Sequence, residues 1–421
     1  VEANCPGIDP SPVQPLRIAL LGYRSAPFSG GQGVYLRYLS RALVALGHEV
    51  TVISGPPYPH LDPGVRLVEL PSLDLYQHGL ASVTPKQLKD RLARVEWFSK
   101  LTGGFAEPYT FGERVREWLL PRLDQFDVIH DNQTLADGII DLQRTGVPVV
   151  TTIHHPITRD LRVGLAAEPL WYRRLLVRRW HHFLQMQTRV ARSLRNIVTV
   201  SSLSARDIVA DFGVPPGAIS VMPNGVDTEV FRPWPEVLRH PRRLIATASA
   251  DAPLKGLSVL LRALANLVDR YPDVELTLIA RPKPGGPTDQ LIDELGLRER
   301  IHFEGGLTHE EIATRYAASS IAVVPSIYEG FGLPAIEAMA CGMPLVSSDG
   351  GALREVVADG GVLVPAGDPL ALAEAIAQLF DDPALREALS AAALTRVRAE
   401  YCWNVCARRL TDYYQERLAR C

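Results

Sequence analysis

The sequence predicts an α/β protein made of two Rossmann-like halves, and three observations carry that expectation. Short apolar runs, among them Arg17–Leu21 and Ile321–Val324, read as strands buried on both faces. They alternate with segments of helical periodicity, which is the rhythm of a parallel sheet. That rhythm starts afresh after a proline-rich run ending at Pro241, and 421 residues suit two domains of ordinary size. The expected division is a disordered tail at 1–15, a first domain at 16–220, a second at 221–395 and a helix at 396–421.

Composition narrows the class. Apolar residues make up 47% and charged residues 22%, as in a globular protein, and a net charge of −3 gives no sign of a nucleic-acid partner. No run of 18 apolar residues is present, and the N-terminus lacks the basic and apolar regions of a leader. The five cysteines form no CxxC or Cys/His cluster, so no metal is expected; they read as free thiols in a reducing cytoplasm.

In chain order, Arg17–Leu21 is the first strand. Gly30-Gly31-Gln32-Gly33 then introduces a helix over Val34–Ala45, and Glu49–Ile53 is the second strand. Glycines at a helix start let a phosphate approach the backbone, which makes Gly31 and Gly33 donor-binding candidates; a plain tight turn explains them too. Residues Leu61–Gly112, rich in aromatics, suit either a packed loop crossing the sheet or a mobile acceptor loop. Asp127–His130 and Val147–Ile153 are strands, the second running into His154-His155-Pro156. Ligands of doubly wound sheets collect at strand carboxyl ends, so His130, Asn132, His154 and His155 are candidates there. Trp171–Arg195 reads as one long helix with seven arginines and no acid. Arg174, Arg178, His181, Arg189 and Arg192 would share one face, beside an apolar face of Tyr172, Leu176, Trp180, Phe183 and Leu194. Such a face suits an anionic acceptor, a lipid headgroup or simple packing, and Asn196–Val200 is the strand that follows.

The second half repeats the pattern. Arg243–Ser249, Val274–Ala280, Arg300–Phe303, Ile321–Val324 and Leu345–Ser348 are strands, with helices over Leu257–Tyr271 and His309–Ala318. Lys255 precedes the first of these helices as a point charge suited to a diphosphate. After Ile321–Val324 comes a loop with Glu329, Gly330, Phe331, Gly332 and Leu333, then a helix over Pro334–Cys341 containing Glu337. Uncapped N–H groups at that helix start can bind phosphate or sugar oxygens, and the two carboxylates can accept from hydroxyls.

The string EGFGLPAIEAMACGMPLV resembles the signature of the retaining nucleotide-sugar glycosyltransferases of family 4, with the GT-B architecture of two Rossmann-like domains facing across a cleft. GGQG with YLRYLSRAL and GHEVTV, and VMPNGVD with FRP, resemble other parts of the same family. The resemblance implies that Glu329 contacts the donor sugar and Glu337 the ribose. It implies that the Gly31–Gly33 loop lies over the diphosphate or acceptor, that His154 is the active-site histidine, and that the last helix crosses back onto the first domain. In the family's pattern Lys255 pairs with an arginine five or six residues earlier. Here Ser249 and Ala250 stand there, and Arg281 and Arg24 are the candidate replacements.

The implied reaction is transfer of a hexosyl group from a nucleoside diphosphate sugar to a hydroxyl acceptor, with retention and without a cofactor or metal, in glycolipid, polysaccharide or glycoconjugate synthesis. His154, Lys255 and Glu329 would be catalytic. Gly31, Gly33, Arg281, Gly330, Phe331, Gly332, Leu333 and Glu337 would hold the donor. Asn132, His155, Arg174 and Arg178 would meet an acceptor that is anionic or lipid-linked, with peripheral membrane contact. A nicotinamide dehydrogenase lacks support, because G-x-G-x-x-G is absent at the first turn. A sugar-nucleotide epimerase and a catalytically weak nucleotide-sugar-binding protein remain as alternatives.

Overall fold

The computed structural model describes residues 14–26, 31–248 and 251–420. The expected tail lies outside them except for Gln14 and Pro15, as do Gly30 and the Ser249/Ala250 positions. Of the described residues, those from Gln14 to Met222 form one compact unit together with 406–420, and those of Pro223–Val405 form the other.

In the N-terminal unit, β1 (Arg17–Gly22), β2 (Glu49–Ser54), β3 (Arg66–Glu69), β4 (Val128–Asn132), β5 (Val149–Thr152), β6 (Ile197–Thr199) and β7 (Ile219–Val221) form one sheet. Its order is β3-β2-β1-β4-β5-β6-β7, parallel throughout. The strands are apolar on both faces because helices cover both. Ala19, Leu21, Ile129 and Val149 pack with Val115, Ile139, Val190 and Phe212 from the surrounding helices.

The C-terminal unit repeats the plan with β8 (Arg243–Thr247), β9 (Glu275–Ile279), β10 (Ile301–Glu304), β11 (Ile321–Val324), β12 (Leu345–Ser348) and β13 (Val362–Val364), in the order β10-β9-β8-β11-β12-β13. Its core joins Leu244, Leu276 and Val323 to Leu260, Leu264 and Ile376. In both sheets the chain moves outward from the first strand in one direction, then returns to its other side. The switch falls at β1/β4 and at β8/β11, where the connections leave in opposite directions and open a crevice at the carboxyl ends.

Three expectations fail. The arginine-rich segment is not one helix: Trp171–Trp180 and Leu184–Ser193 are separated by a 3-10 turn at His181–Phe183. The break turns Phe183 into the core against Phe105, with ring centroids 5.4 Å apart, and lets Trp180 stack on Phe105 at 5.2 Å. Tertiary packing thereby overrides the periodicity that predicted one basic face. The final helix likewise starts late. The chain winds into a π turn at Val397–Tyr401, and Cys402 forms a bridge with Val226 before the helix Trp403–Leu418 begins. Free thiols are found at Cys341 and Cys406, both buried, whereas Cys402 is disulfide-bonded. The expectation of free thiols throughout is therefore corrected at Cys402.

Candidate functional site

Each unit brings polar side chains to the carboxyl ends of its own switch-point strands. In the C-terminal unit, the loop after β8 ends in a 3-10 turn, Pro253–Lys255, and the loop after β11 carries Glu329. Backbone bonds stitch the two loops together, with the N–H groups of Ile327 and Tyr328 donating to Leu254 O at 2.8 and 3.2 Å. Lys255 Nζ then meets both Glu329 oxygens, at 3.0 and 2.8 Å, and Ser326 Oγ donates to Glu329 Oε2 at 3.1 Å. The loop after β12 supports this arrangement, since Ala352 N donates to Glu329 O at 2.8 Å.

Gly332, at φ 107°, turns the chain into the helix Leu333–Ala340, one residue earlier than expected, so Pro334 takes the second helical position. No side chain caps this helix start. An added Cβ at Gly332 would lie 2.6 Å from Leu353 Cδ2, so only glycine fits both the angle and the space. Phe331 is buried with its ring edge-on to Tyr401 at 5.9 Å, while Gly330 lies part-exposed and Leu333 exposed. Glu337, half-buried in the second turn, has its carboxyl pushed up to about 7 by desolvation. Arg281 lies beyond β9, exposed, its side chain passing over Gly305.

In the N-terminal unit, His154 follows β5. Its Nε2 lies 2.8 Å from Asn132 Oδ1 at the end of β4, and its N–H donates to Gln133 Oε1 at 2.8 Å. The amide of Asn132 is oriented by its other end, Nδ2 donating to Gln32 O at 3.5 Å. Oδ1 can only accept, so Nε2 carries the proton and Nδ1 keeps its lone pair. Burial, with His155 nearby, lowers the His154 pKa to about 3, so the ring is neutral. Tyr35 packs edge-on against that ring at 4.8 Å.

Behind it runs a buried chain. Tyr35 OH lies 3.2 Å from Thr152 Oγ1, which lies 2.6 Å from His130 Nε2, and His130 Nδ1 bonds Tyr414 OH. His130, with a pKa lowered to about 3 by desolvation, is neutral and built into the interior. Gln133 also donates to His155 O at 2.8 Å, and both Gln133 and Leu135 sit at positive φ, 57° and 54°. Backbone held in this region persists where surrounding contacts fix it. Gly31 is the N-cap of the helix Gln32–Ala45, and a Cβ on Gly33 would lie 2.2 Å from Ala26 O, so the helix start presses on the loop after β1.

Other candidates are placed differently. His155 is exposed, 3.6 Å from Asp160. Arg174 and Arg178 are exposed on the helix Trp171–Trp180, whereas Arg189 pairs with Asp137 at 2.8 Å and Arg192 Nε donates to Phe212 O at 2.5 Å. Arg24, the other candidate replacement cation, is engaged within the N-terminal unit. It lies 2.8 Å from Glu107 and 3.4 Å from Asp74, so its charge is already compensated. Sequence reading missed Tyr35, Gln133, Thr152 and Tyr414, whose importance arises from contacts distant in the chain.

Residues 29–230 match the model of Glycosyltransferase Family 4, and residues 232–396 that of Glycosyl transferases group 1. The chain is 46% identical over 412 residues to the MMP α-(1→4)-mannosyltransferase of Mycolicibacterium hassiacum, covering 96% of this chain and 99% of that protein. It is 29% identical to the phosphatidyl-myo-inositol mannosyltransferase of Mycobacterium leprae, covering 95% and 96%. Among solved structures, sucrose-phosphate synthase from Thermosynechococcus elongatus superposes with a TM-score of 0.71 at 24% identity, covering 96% of this chain and 100% of that one.

Proposed function

This chain belongs to the glycosyl transferases group 1, and we propose that it transfers a mannosyl or related hexosyl group from a nucleoside diphosphate sugar to an acceptor hydroxyl, with retention. It is a glycosyltransferase with the GT-B fold. The choice of sugar follows the two mannosyltransferases named above.

The observation that carries the reading is the Lys255–Glu329 ion pair beside the uncapped start of the helix Leu333–Ala340. The departing diphosphate gathers negative charge, and stabilising that charge is the chief catalytic task. Lys255 and the backbone N–H groups at the helix start suit it. Glu329 holds the ammonium in place until the donor arrives. The diphosphate then competes for Lys255, and Glu329 is released to accept from sugar hydroxyls. Glu337 is assigned the ribose, and Arg281 a second contact to phosphate. Gly330, Phe331 and Leu333 would shape the donor pocket, and Gly31 and Gly33 would permit close backbone approach. His154 is assigned a sugar hydroxyl through its Nδ1 lone pair. With a pKa near 3 it is a weak general base, so the acceptor proton is assigned to the departing phosphate. Asn132 orients His154, and His155 remains an acceptor contact.

UDP-, GDP- and ADP-linked glucose and mannose, tested by thermal shift and by hydrolysis, identify the donor. Lys255→Ala and Glu329→Ala should each lower turnover by at least about tenfold, the size of one lost charge-stabilising contact. Parental turnover in either variant removes that residue from the site, and tight parental binding in Arg281→Ala removes Arg281. Free isomerised sugar without transfer would instead favour the epimerase.

A specific observation favours a lipid-bearing acceptor. The helix Trp171–Trp180 exposes Trp171 (73%), Leu175 (51%) and Leu176 (56%) beside Arg173, Arg174 and Arg178, for which no ion pair is formed among the described residues. Basic groups near an anionic bilayer are worth on the order of 1 kcal/mol each. No described helix is long and apolar enough to cross a membrane, so contact would be peripheral. Sedimentation with anionic vesicles at low salt should be lost at high salt and in Arg174→Glu/Arg178→Glu. Protein left in the supernatant at low salt rejects the lipid reading.

A further inference from the structure

We propose that a groove in the N-terminal unit binds an amphipathic anion, a ligand bearing one phosphate or carboxylate on an apolar body. The groove lies among the helices Arg91–Leu101, Glu107–Leu119 and Leu184–Ser193 and encloses about 610 Å³, within the range of roughly 300–1,000 Å³ usual for small-molecule sites. None of its lining residues belongs to the donor-holding set or to the His154 cluster. The proposal therefore stands independently of the transfer reaction.

One wall is apolar. Val95, Phe98, Phe105, Tyr109 and Met186 face the cavity. Phe105 is held rigid, stacked on Trp180 at 5.2 Å and edge-on to Phe183 at 5.4 Å, so the surface is preorganised. Phe98 is 61% exposed. Core packing does not account for it, because the helix Arg91–Leu101 meets the protein interior through Leu92, Ala93 and Glu96. The cavity instead receives Arg91, Arg94, Val95 and Phe98, spaced at helical steps along one stripe.

Arginines stand beside this apolar surface. Arg189 is neutralised by Asp137. Arg91, Arg94 and Arg179 form no ion pair among the described residues; Arg94 donates to Leu88 O at 3.3 Å and Arg179 to Thr102 Oγ1 at 2.8 Å. Three guanidinium groups without carboxylates beside a fixed aromatic surface call for a ligand that supplies the missing charge and covers the rings. Arg91 and Arg94 lie on one side of Phe98 along the helix, and Arg179, held at Thr102, lies just past it, so cationic groups flank the aromatic surface.

The probe is octyl phosphate, kept below its aggregation threshold and titrated calorimetrically into the full chain. Inorganic phosphate supplies the charge without the body, and octyl glucoside the body without the charge. Saturable one-to-one binding is expected, at least about tenfold tighter than either control, the size of one charge-assisted contact. Arg94 and Phe98 are exposed, so Arg94→Glu and Phe98→Asp should each weaken binding about tenfold with unchanged melting temperature. Inorganic phosphate binding as tightly as the probe would show a bare cationic patch and overturn the proposal. Octyl glucoside binding equally would do the same from the apolar side. Onset only at aggregation, or parental affinity in both variants, also overturns it.

Discussion

Desolvation acts in opposite directions on the two kinds of titrating side chain in the two units. It lowers His154 and His130 to about 3, leaving neutral rings whose tautomers are set by hydrogen bonds, and it raises Asp131 to about 6 and Glu337 to about 7. Glu337 gives the clearest pH prediction. An unfolded carboxyl titrates near 4.5. Between there and about 7 the folded state binds more protons than the unfolded one, so this group's contribution to stability falls as pH rises, and above about 7 the penalty is complete. Glu337→Gln should therefore gain on the parent by roughly 3 kcal/mol between pH 4.5 and pH 8 in denaturant titrations. A constant difference over that range would show that Glu337 does not titrate there. Glu329, Lys255 and His154 were legible in the sequence because each sits in a loop at a strand end. Gln133 and Tyr35 were not, because a glutamine at φ 57° and a tyrosine inside an amphipathic helix carry no local sign of the histidine they support.

Buried strands were legible as elements because a parallel sheet covered on both faces writes itself as an apolar run. Helix continuity was less legible. Trp171–Arg195 has an unbroken helical pattern, yet the stacking of Trp180 and the edge-on contact of Phe183 with Phe105 outweigh it. The loops around β8 and β11 show a related contact that sequence alone hides. Gly256, between Lys255 and the helix Leu257–Leu267, sits at φ 67°, and an added Cβ would stand 1.9 Å from Pro325 O. The glycine therefore sets how closely the Lys255 turn approaches the strand that delivers Glu329. Gly256→Ala combines a disfavoured left-handed conformation with a backbone clash, and should cost at least about 2 kcal/mol. The Lys255–Glu329 contact should be displaced with it, so donor affinity should fall further than in a stability-matched core variant of the same unit. Equal donor affinity in the two would show that loop spacing does not matter for binding.

At the scale of the whole chain, the N-terminal unit is completed by a segment nearly two hundred residues further along the sequence, beginning at Cys406. Thr411 and Tyr414, from the segment Cys406–Cys421, are fully buried in it. His48 Nδ1 accepts from Leu16 N at 3.1 Å, so its Nε2 carries the proton that meets Thr411 Oγ1 at 2.9 Å. Tyr414 closes the chain that runs through His130 and Thr152 to Tyr35, beside His154. Tyr414→Phe removes one hydroxyl and leaves a buried imidazole nitrogen without its partner, a loss of about 1–3 kcal/mol. The cost should fall on the N-terminal unit, since every residue of this network lies there. Two outcomes are therefore expected together: a lower melting temperature, and nucleotide binding unchanged at temperatures where the protein remains folded, because Lys255, Glu329 and Glu337 are in the other unit. If the network also fixes the ring of His154, turnover should fall in Tyr414→Phe at constant donor affinity, with Tyr35→Phe behaving likewise. A variant that melts early but turns over normally while folded would confine Tyr414 to packing and separate the buried chain from His154.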